Sequence, residues 1–427
     1  MRLLDFKPRR LHEPAPPRRH APSAGQWPAV AALALLLAGI ISPMAQGQTF
    51  KVLYSFAGYP TDGANPEAGM VMDAAGNLYG TTTYGGSHEG CPGKWQCGTV
   101  FKLDTNGVET ILYNFNGKDG ANPAAPLMMD ASDDLYGTTQ FGGNLKGCGD
   151  INFVGCGVVF KLSSDGKETV LHRFTGGWDG WWPAAGLIMD ASGALYGTAS
   201  SGGNSGSGVA FRLVGRNETV LYSFTGYGDG GTPAAGLLMD RKGNLYGTTA
   251  WGGDPNCNPG TDPCGVVFKL TGNKETWVHD FRGSPHDGNR PVCDLIMDAE
   301  RNLYGTTVFG GVGYGTVFEV TAAGKEKVIY SFQQLQDGQG PAGGVVRDAH
   351  GNLYGATGGG DQSYPGDVFE LTKDGEEKVL YTFCSEQDCA DGLYPMGDLV
   401  MDAKGNLYGT TTDGGAYRNG VVFEITP

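Results

Sequence analysis

Seven copies of one unit of 50–60 residues fill the chain from about residue 50 to its end, and this periodicity constrains the fold more than any other feature. LYGTT or a close variant begins at Leu78, Leu135, Leu195, Leu245, Leu303, Leu353 and Leu407. A G-x-V/A-F-x-hydrophobic segment begins at Gly98, Gly157, Gly208, Gly265, Gly315, Gly366 and Gly420. A strand of the VLYSF type ends at Phe56, Phe115, Phe174, Phe224, Phe281, Phe332 and Phe383. Asp-Gly-x-x-Pro begins at Asp62, Asp119, Asp179, Asp229, Asp287, Asp337 and Asp391. No segment has helical periodicity. The 73 glycines and the low share of charged residues, 18%, fit many tight turns between short strands.

Each unit holds four strand-like runs of five to eight residues, rich in Val, Leu, Tyr, Phe and Thr. In the third they are PAAGLIMD, ALYGTAS, GVAFRL and ETVLHRF. The first turn reads D-x-x-G-N in the best copies, as in Asp240 to Asn244, which suits a tight hairpin. Four antiparallel strands with up-and-down connections make a propeller blade, and a lone blade cannot bury both its faces. The repeat region opens with a fourth-type strand, Lys51–Phe56, and ends with a third-type strand, Gly420–Ile425. Seven of every strand type result only if the first strand joins the last blade, which removes the exposed edges. The expectation is an all-β fold over 48–427: a seven-bladed β-propeller of four-stranded antiparallel blades, closed by the N-terminal strand.

The repeats, with their G-x-V-F-x-L and LYGTT cores, resemble the bacterial "choice-of-anchor" GloVer-type tandem-repeat proteins over residues 51–427. Their D-x-x-G-N-L-Y turn also resembles that of the NHL and gluconolactonase-like propellers. The first resemblance implies an extracytoplasmic repeat protein. Residues 1–47 read as a targeting segment: a basic, Pro-rich stretch, the apolar run Ala29–Ile41, then Ala45-Gln46-Gly47 at the spacing of a signal-peptidase site. The alternative is an uncleaved N-terminal anchor, the one membrane attachment foreseen. Export to the cell surface, the periplasm or the medium follows.

Export accords with the cysteines. Eight of nine fall in close pairs, Cys91/Cys97, Cys148/Cys156, Cys257/Cys264 and Cys384/Cys389, and none has CxxC spacing. Four local disulfides are expected, with Cys293 as a buried thiol. The net charge of −15 includes +4 on residues 1–47, leaving −19 on the repeats. An acidic body of that size repels phosphate backbones, which argues against nucleic acid as a partner.

No HExxH or GxSxG motif occurs, and no catalytic residue, metal site or cofactor is assigned. The Asp-Gly-x-x-Pro aspartates read as turn residues that accept a hydrogen bond from the backbone two residues on. A lactonase-type site would need acidic ligands converging in the channel, where Glu67, Asp294 and Asp398 offer the only charges in the opening residues of the inner strands. His172 and His279 replace a strand tyrosine and read as sheet positions. The Asp-Gly loops and the loops after LYGTT share one face, vary in length, and carry every cysteine pair. Aromatic residues gather there as well: Tyr84, Phe141, Trp251 and Phe309 at one repeat position, with Trp95, Trp178, Trp181, Trp182, Tyr227, Tyr394 and Tyr417 in nearby loops. Aromatic rings beside Asp and Asn suit the C–H faces of neutral sugars or a protein hot spot. The expected ligand is therefore a polysaccharide or a protein, held by Trp181, Trp182, Trp251 and Tyr394. A propeller hydrolase or lyase at the channel mouth and a structural envelope component are the alternatives.

Overall fold

The computed structural model describes residues 48–427 apart from 88–90, 92–96, 145–147, 149–154, 258–263, 334–336 and 359–363. The reading of 1–47 as a targeting segment, and the side chain of Trp95, lie outside the described residues. Residues 47–427 form one compact unit. Seven four-stranded antiparallel sheets are the seven blades, and the two-residue pairings Gly63–Ala64 with Tyr84–Gly85 and Gly288–Asn289 with Phe309–Gly310 are accessory. The third blade runs from Ile188–Met189 at the channel through Leu195–Ala199 and Val209–Val214 to Asn217–Ser223 outside.

Closure follows the expected frame. Thr49–Ser55 lies antiparallel to Val421–Thr426 as the outer strand of the seventh blade, from Thr49 opposite Thr426 to Ser55 opposite Val421. A register shift between Val52 and Tyr54 repeats the one found in each of the other six outer pairs.

The repeat residues are explained by contacts between strands and between blades. The glycine of LYGTT makes room for a phenylalanine: a Cβ on Gly247 would lie 2.7 Å from the Phe268 ring, and the matching distances at the other blades are 2.5–2.8 Å. That ring meets, edge to face, the phenylalanine ending the previous blade's outer strand, as in Phe224–Phe268 with centroids 5.0 Å apart. Seven such pairs circle the molecule, Phe56–Phe101 and Phe383–Phe423 at the closure among them.

The inner strands are shorter than expected. Of PAAGLIMD only Ile188 and Met189 are paired in the ladder. The preceding residues turn their carbonyls toward the neighbouring blade, where the first Thr of LYGTT donates to them: Thr138 to Ala185, Thr198 to Ala235, Thr306 to Gly343 and Thr410 to Ala68. Side-chain bonds between blades take the place of ladder bonds within the blade. Thr198→Ala would orphan the buried Ala235 carbonyl and is expected to cost about 1–2 kcal/mol, read as a lower denaturant midpoint.

The Asp-Gly aspartates are structural, by a geometry different from the expected one. Each accepts backbone N–H groups at the start of its own loop, as Asp62 does from Ala57 at 2.6 Å and Asp229 from Thr225 at 2.9 Å, not from two residues on. Five also take a hydroxyl from the preceding outer strand: Tyr54, Tyr113, Tyr222, Tyr330 and Tyr381. The remaining two face His172 and His279, which lie in outer strands as expected.

Candidate functional site

The two faces differ in kind. On one, Asp-x-x-Gly-Asn turns and outer hairpins bond to each other, as Lys373 N–H does to Asn352 Oδ1. Asp73 shows their design: its carboxylate accepts from the N–H groups of Ala75 and Asn77, from Asn77 Nδ2 and from the Tyr79 hydroxyl. On the other face the Asp-Gly loops bridge to the loops after LYGTT, as Trp181 does to Ser201 and Gly231 to Trp251. Four disulfides tie this face: Cys91–Cys97, Cys148–Cys156, Cys257–Cys264 and Cys384–Cys389. Cystine bridges are the chemistry of an oxidising compartment, outside the cytoplasm. Cys293 is free and buried, and burial pushes its thiol up to about 12, where it is inert at neutral pH. Among the described residues no helix is long and apolar enough to cross a membrane.

The residue before each inner-strand proline forms a ring around the channel mouth. These are Asn65, Asn122, Trp182, Thr232, Arg290, Gly340 and Tyr394, and all seven have left-handed φ, from 54° to 61°. Asparagine tolerates that region, and in two copies it also contributes a bond: Asn65 Nδ2 donates to the Thr412 carbonyl and Asn122 Nδ2 to that of Thr83. Trp182 replaces it with a bulky side chain that is 40% exposed. A large non-glycine residue there stores on the order of 1–3 kcal/mol of strain, a cost met most often at functional positions.

The four residues assigned to ligand binding are distributed around this rim and do not form one pocket. Trp182 lies 5.8 Å from the Phe141 ring and 6.3 Å from Trp181, which itself packs partly buried on the blade core. Trp251 is half-buried under the Arg290 guanidinium, 5.3 Å from its ring centre, two junctions further round. Tyr394 is half-buried two junctions beyond that, where its N–H reaches the Pro365 carbonyl. Further out, Tyr59, Trp178, Tyr227 and Tyr417 are exposed, Tyr227 by 79%. The left-handed ring is not legible in one sequence, because a residue before proline ordinarily adopts extended backbone.

Beneath the rim, Ala and Gly narrow the channel to a cavity of about 100 Å³ holding Glu67, Asp294 and Asp398. Asp294 accepts from Gly236 N–H at 2.5 Å and Asp398 from Gly344 N–H at 2.5 Å, so each carboxylate leans on the blade before its own. Burial raises the pKa of both, and mutual repulsion adds to the rise at Asp398. Burial also raises Glu67. The three do not converge within metal-binding distance. Among the described residues the one such group is His279, Asp287 and Glu326, whose ligand atoms all lie within 4.8 Å of each other. That grouping escaped the sequence reading because Glu326 belongs to the next repeat.

Comparison with known proteins decides the family. The model of the Gloeobacter/Verrucomicrobia repeat matches residues 38–258 and 257–427. The chain belongs to that family. No curated protein matches it. Among solved structures, the extracellular domain of BT4673 from B. thetaiotaomicron aligns with a TM-score of 0.53 at 10% identity, over 87% of this chain and 39% of that one. This member of the repeat family thus spans well under half the length of that protein, and the likeness is one of fold. XC5397 from Xanthomonas campestris, described as a gluconolactonase, aligns with a TM-score of 0.42 at 15% identity, over 88% and 89% of the two chains.

Proposed function

We propose that this protein is an exported, non-catalytic propeller that binds a neutral polysaccharide on its disulfide-tied loop face. Trp182 carries the reading: an exposed indole in left-handed backbone at the channel rim, where the first two units use asparagine. The flat ring offers a platform for the C–H face of a sugar, and the flanking loops offer hydrogen-bonding groups for its hydroxyls. The acidic repeats favour an uncharged ligand over an anionic one.

Trp182→Asn tests this with two signs at once. Asparagine suits left-handed backbone and places an amide where Asn65 and Asn122 bond a carbonyl. The variant is expected to gain about 1 kcal/mol in stability and to lose at least roughly tenfold in glycan affinity. A glycan array followed by titration calorimetry reads the affinity, and thermal melts read the stability. A variant that binds undiminished removes the indole from the site. The paired carboxylates Asp294 and Asp398 favour a second reading, lactone or glycan hydrolysis in the channel. Turnover of a lactone panel that disappears in Asp398→Asn would establish it instead.

A further inference from the structure

We infer that His279, Asp287 and Glu326 form a binding site for a divalent transition ion, with Zn²⁺ as the natural probe, between the outer strands of the fourth and fifth blades. His279 Nε2 lies 3.2 Å and 3.3 Å from the two Asp287 oxygens. An imidazole nitrogen and a carboxylate oxygen on one tetrahedral zinc, each about 2.0–2.1 Å from it, stand roughly that far apart. Glu326 brings a third donor within 4.8 Å of both, and its Oε1, like that of the matching Glu109, Glu168, Glu218, Glu275 and Glu377, is buried with no hydrogen-bond partner among the described residues.

The repeat shows why this junction differs from its six relatives. The outer-strand glutamate and the Asp-Gly aspartate recur at other junctions, as Glu109 with Asp62 and Glu377 with Asp337. In five junctions the third member is a tyrosine hydroxyl, which donates to the aspartate and is a poor metal ligand when protonated. Only His172 and His279 put an imidazole there. At His172 the aspartate is already engaged: Asp179 Oδ1 accepts the Thr175 hydroxyl at 2.5 Å, and His172 Nε2 stands 3.5 Å off without a hydrogen bond. At His279 the matching position is Arg282, which gives Asp287 only its backbone N–H. Apart from His279, Asp287 thus holds just two backbone bonds, from Arg282 and Gly288, and lone pairs remain for an ion.

Access and ligand choice fit as well. The three side chains line an open groove of about 760 Å³, together with Trp277 and His286. His286 is exposed, so a fourth position is open to it or to water. A mixed imidazole and carboxylate set favours Zn²⁺ and its neighbours over Ca²⁺ or Mg²⁺, which prefer all-oxygen shells.

The test uses purified, metal-stripped protein with its disulfides intact, titrated with Zn²⁺ against a chromophoric chelator. One equivalent is expected to bind at pH 7.5 with micromolar or tighter affinity. His279→Tyr restores the residue of five sister repeats, so it folds, and it is expected to weaken binding at least tenfold. Glu326→Gln should weaken it comparably, whereas His172→Tyr should leave it unchanged. Binding that survives His279→Tyr, or that His172→Tyr abolishes, overturns the assignment, as does a parent protein that takes up no Zn²⁺. A replacement of Zn²⁺ by equimolar Ca²⁺ would overturn the choice of ion class.

Discussion

A chain lacking residues 48–57 is expected to melt roughly 10 °C or more below the parent and to associate through its seventh blade. The deletion strips the outer strand from Val421–Thr426 and leaves its backbone groups unpaired along a straight edge. Two phenylalanines leave with it. Phe56 is fully buried against Phe101, and Phe50 stacks on Tyr381 with ring centres 3.7 Å apart while touching Phe383 and Phe423. Losing one such buried ring costs about 3–5 kcal/mol, and a chain of this size loses only about 1 °C for each kcal/mol. The shift therefore measures the whole closure and not one contact. Calorimetry with light scattering checks both parts. A truncated protein that stays monomeric and melts with the parent would show that the ring is held without its first strand.

That closure was legible because it depends on counting. Seven of each strand type leave one partner for Lys51–Phe56, and no distance needs to be known. Local turns were legible for a similar reason, since Asp73 and Asn77 meet within five residues. What escaped the reading was the set of side-chain contacts that join different repeats. The glycine of LYGTT reads as a strand weakness until the Phe268 ring is placed against Gly247. The inner strands read as full strands because Pro-Ala-Ala-Gly is apolar, yet their carbonyls answer to threonines of the adjacent blade. Trp181 and Trp182 are neighbours in sequence with opposite surroundings, one against the core and one at the rim, because φ turns positive between them. His279 read as a sheet position, which it is. Its partnership with Glu326 crosses a blade boundary.

The second large effect concerns acid, and its sign opposes the usual one. Lowering the pH from 8 to 5 is expected to stabilise the propeller. Six outer strands carry a half-buried glutamate as their first or second residue: Glu109, Glu168, Glu218, Glu275, Glu326 and Glu377. Burial raises each to about 7, helped in five of them first by the nearby Asp-Gly aspartate, while at Glu218 His172 opposes the rise. In the unfolded chain these groups titrate near 4.5. Between about pH 4.5 and 7 the folded state therefore binds more protons than the unfolded one, and stability falls as pH rises through that window. These side chains are only partly buried, so each contributes only on the order of 0.5 kcal/mol after screening, or about 3 kcal/mol for the set. That corresponds to roughly 4 °C for a chain of this length. The turn aspartates Asp73, Asp190, Asp240, Asp348 and Asp402 set the lower limit. Their hydrogen bonds hold them below the usual carboxylate range, so the stability they contribute is present above about pH 4 and lost beneath it. A maximum near pH 5 follows from the two groups together. Melts from pH 3.5 to 8.5 at constant ionic strength read it directly. Replacing Glu109, Glu168, Glu275 and Glu377 together with Gln should flatten the decline above pH 5 and leave the acid limb in place. A melting temperature that climbs steadily from pH 5 to 8 would mean that the six carboxylates ionise in the folded state as freely as they do in water.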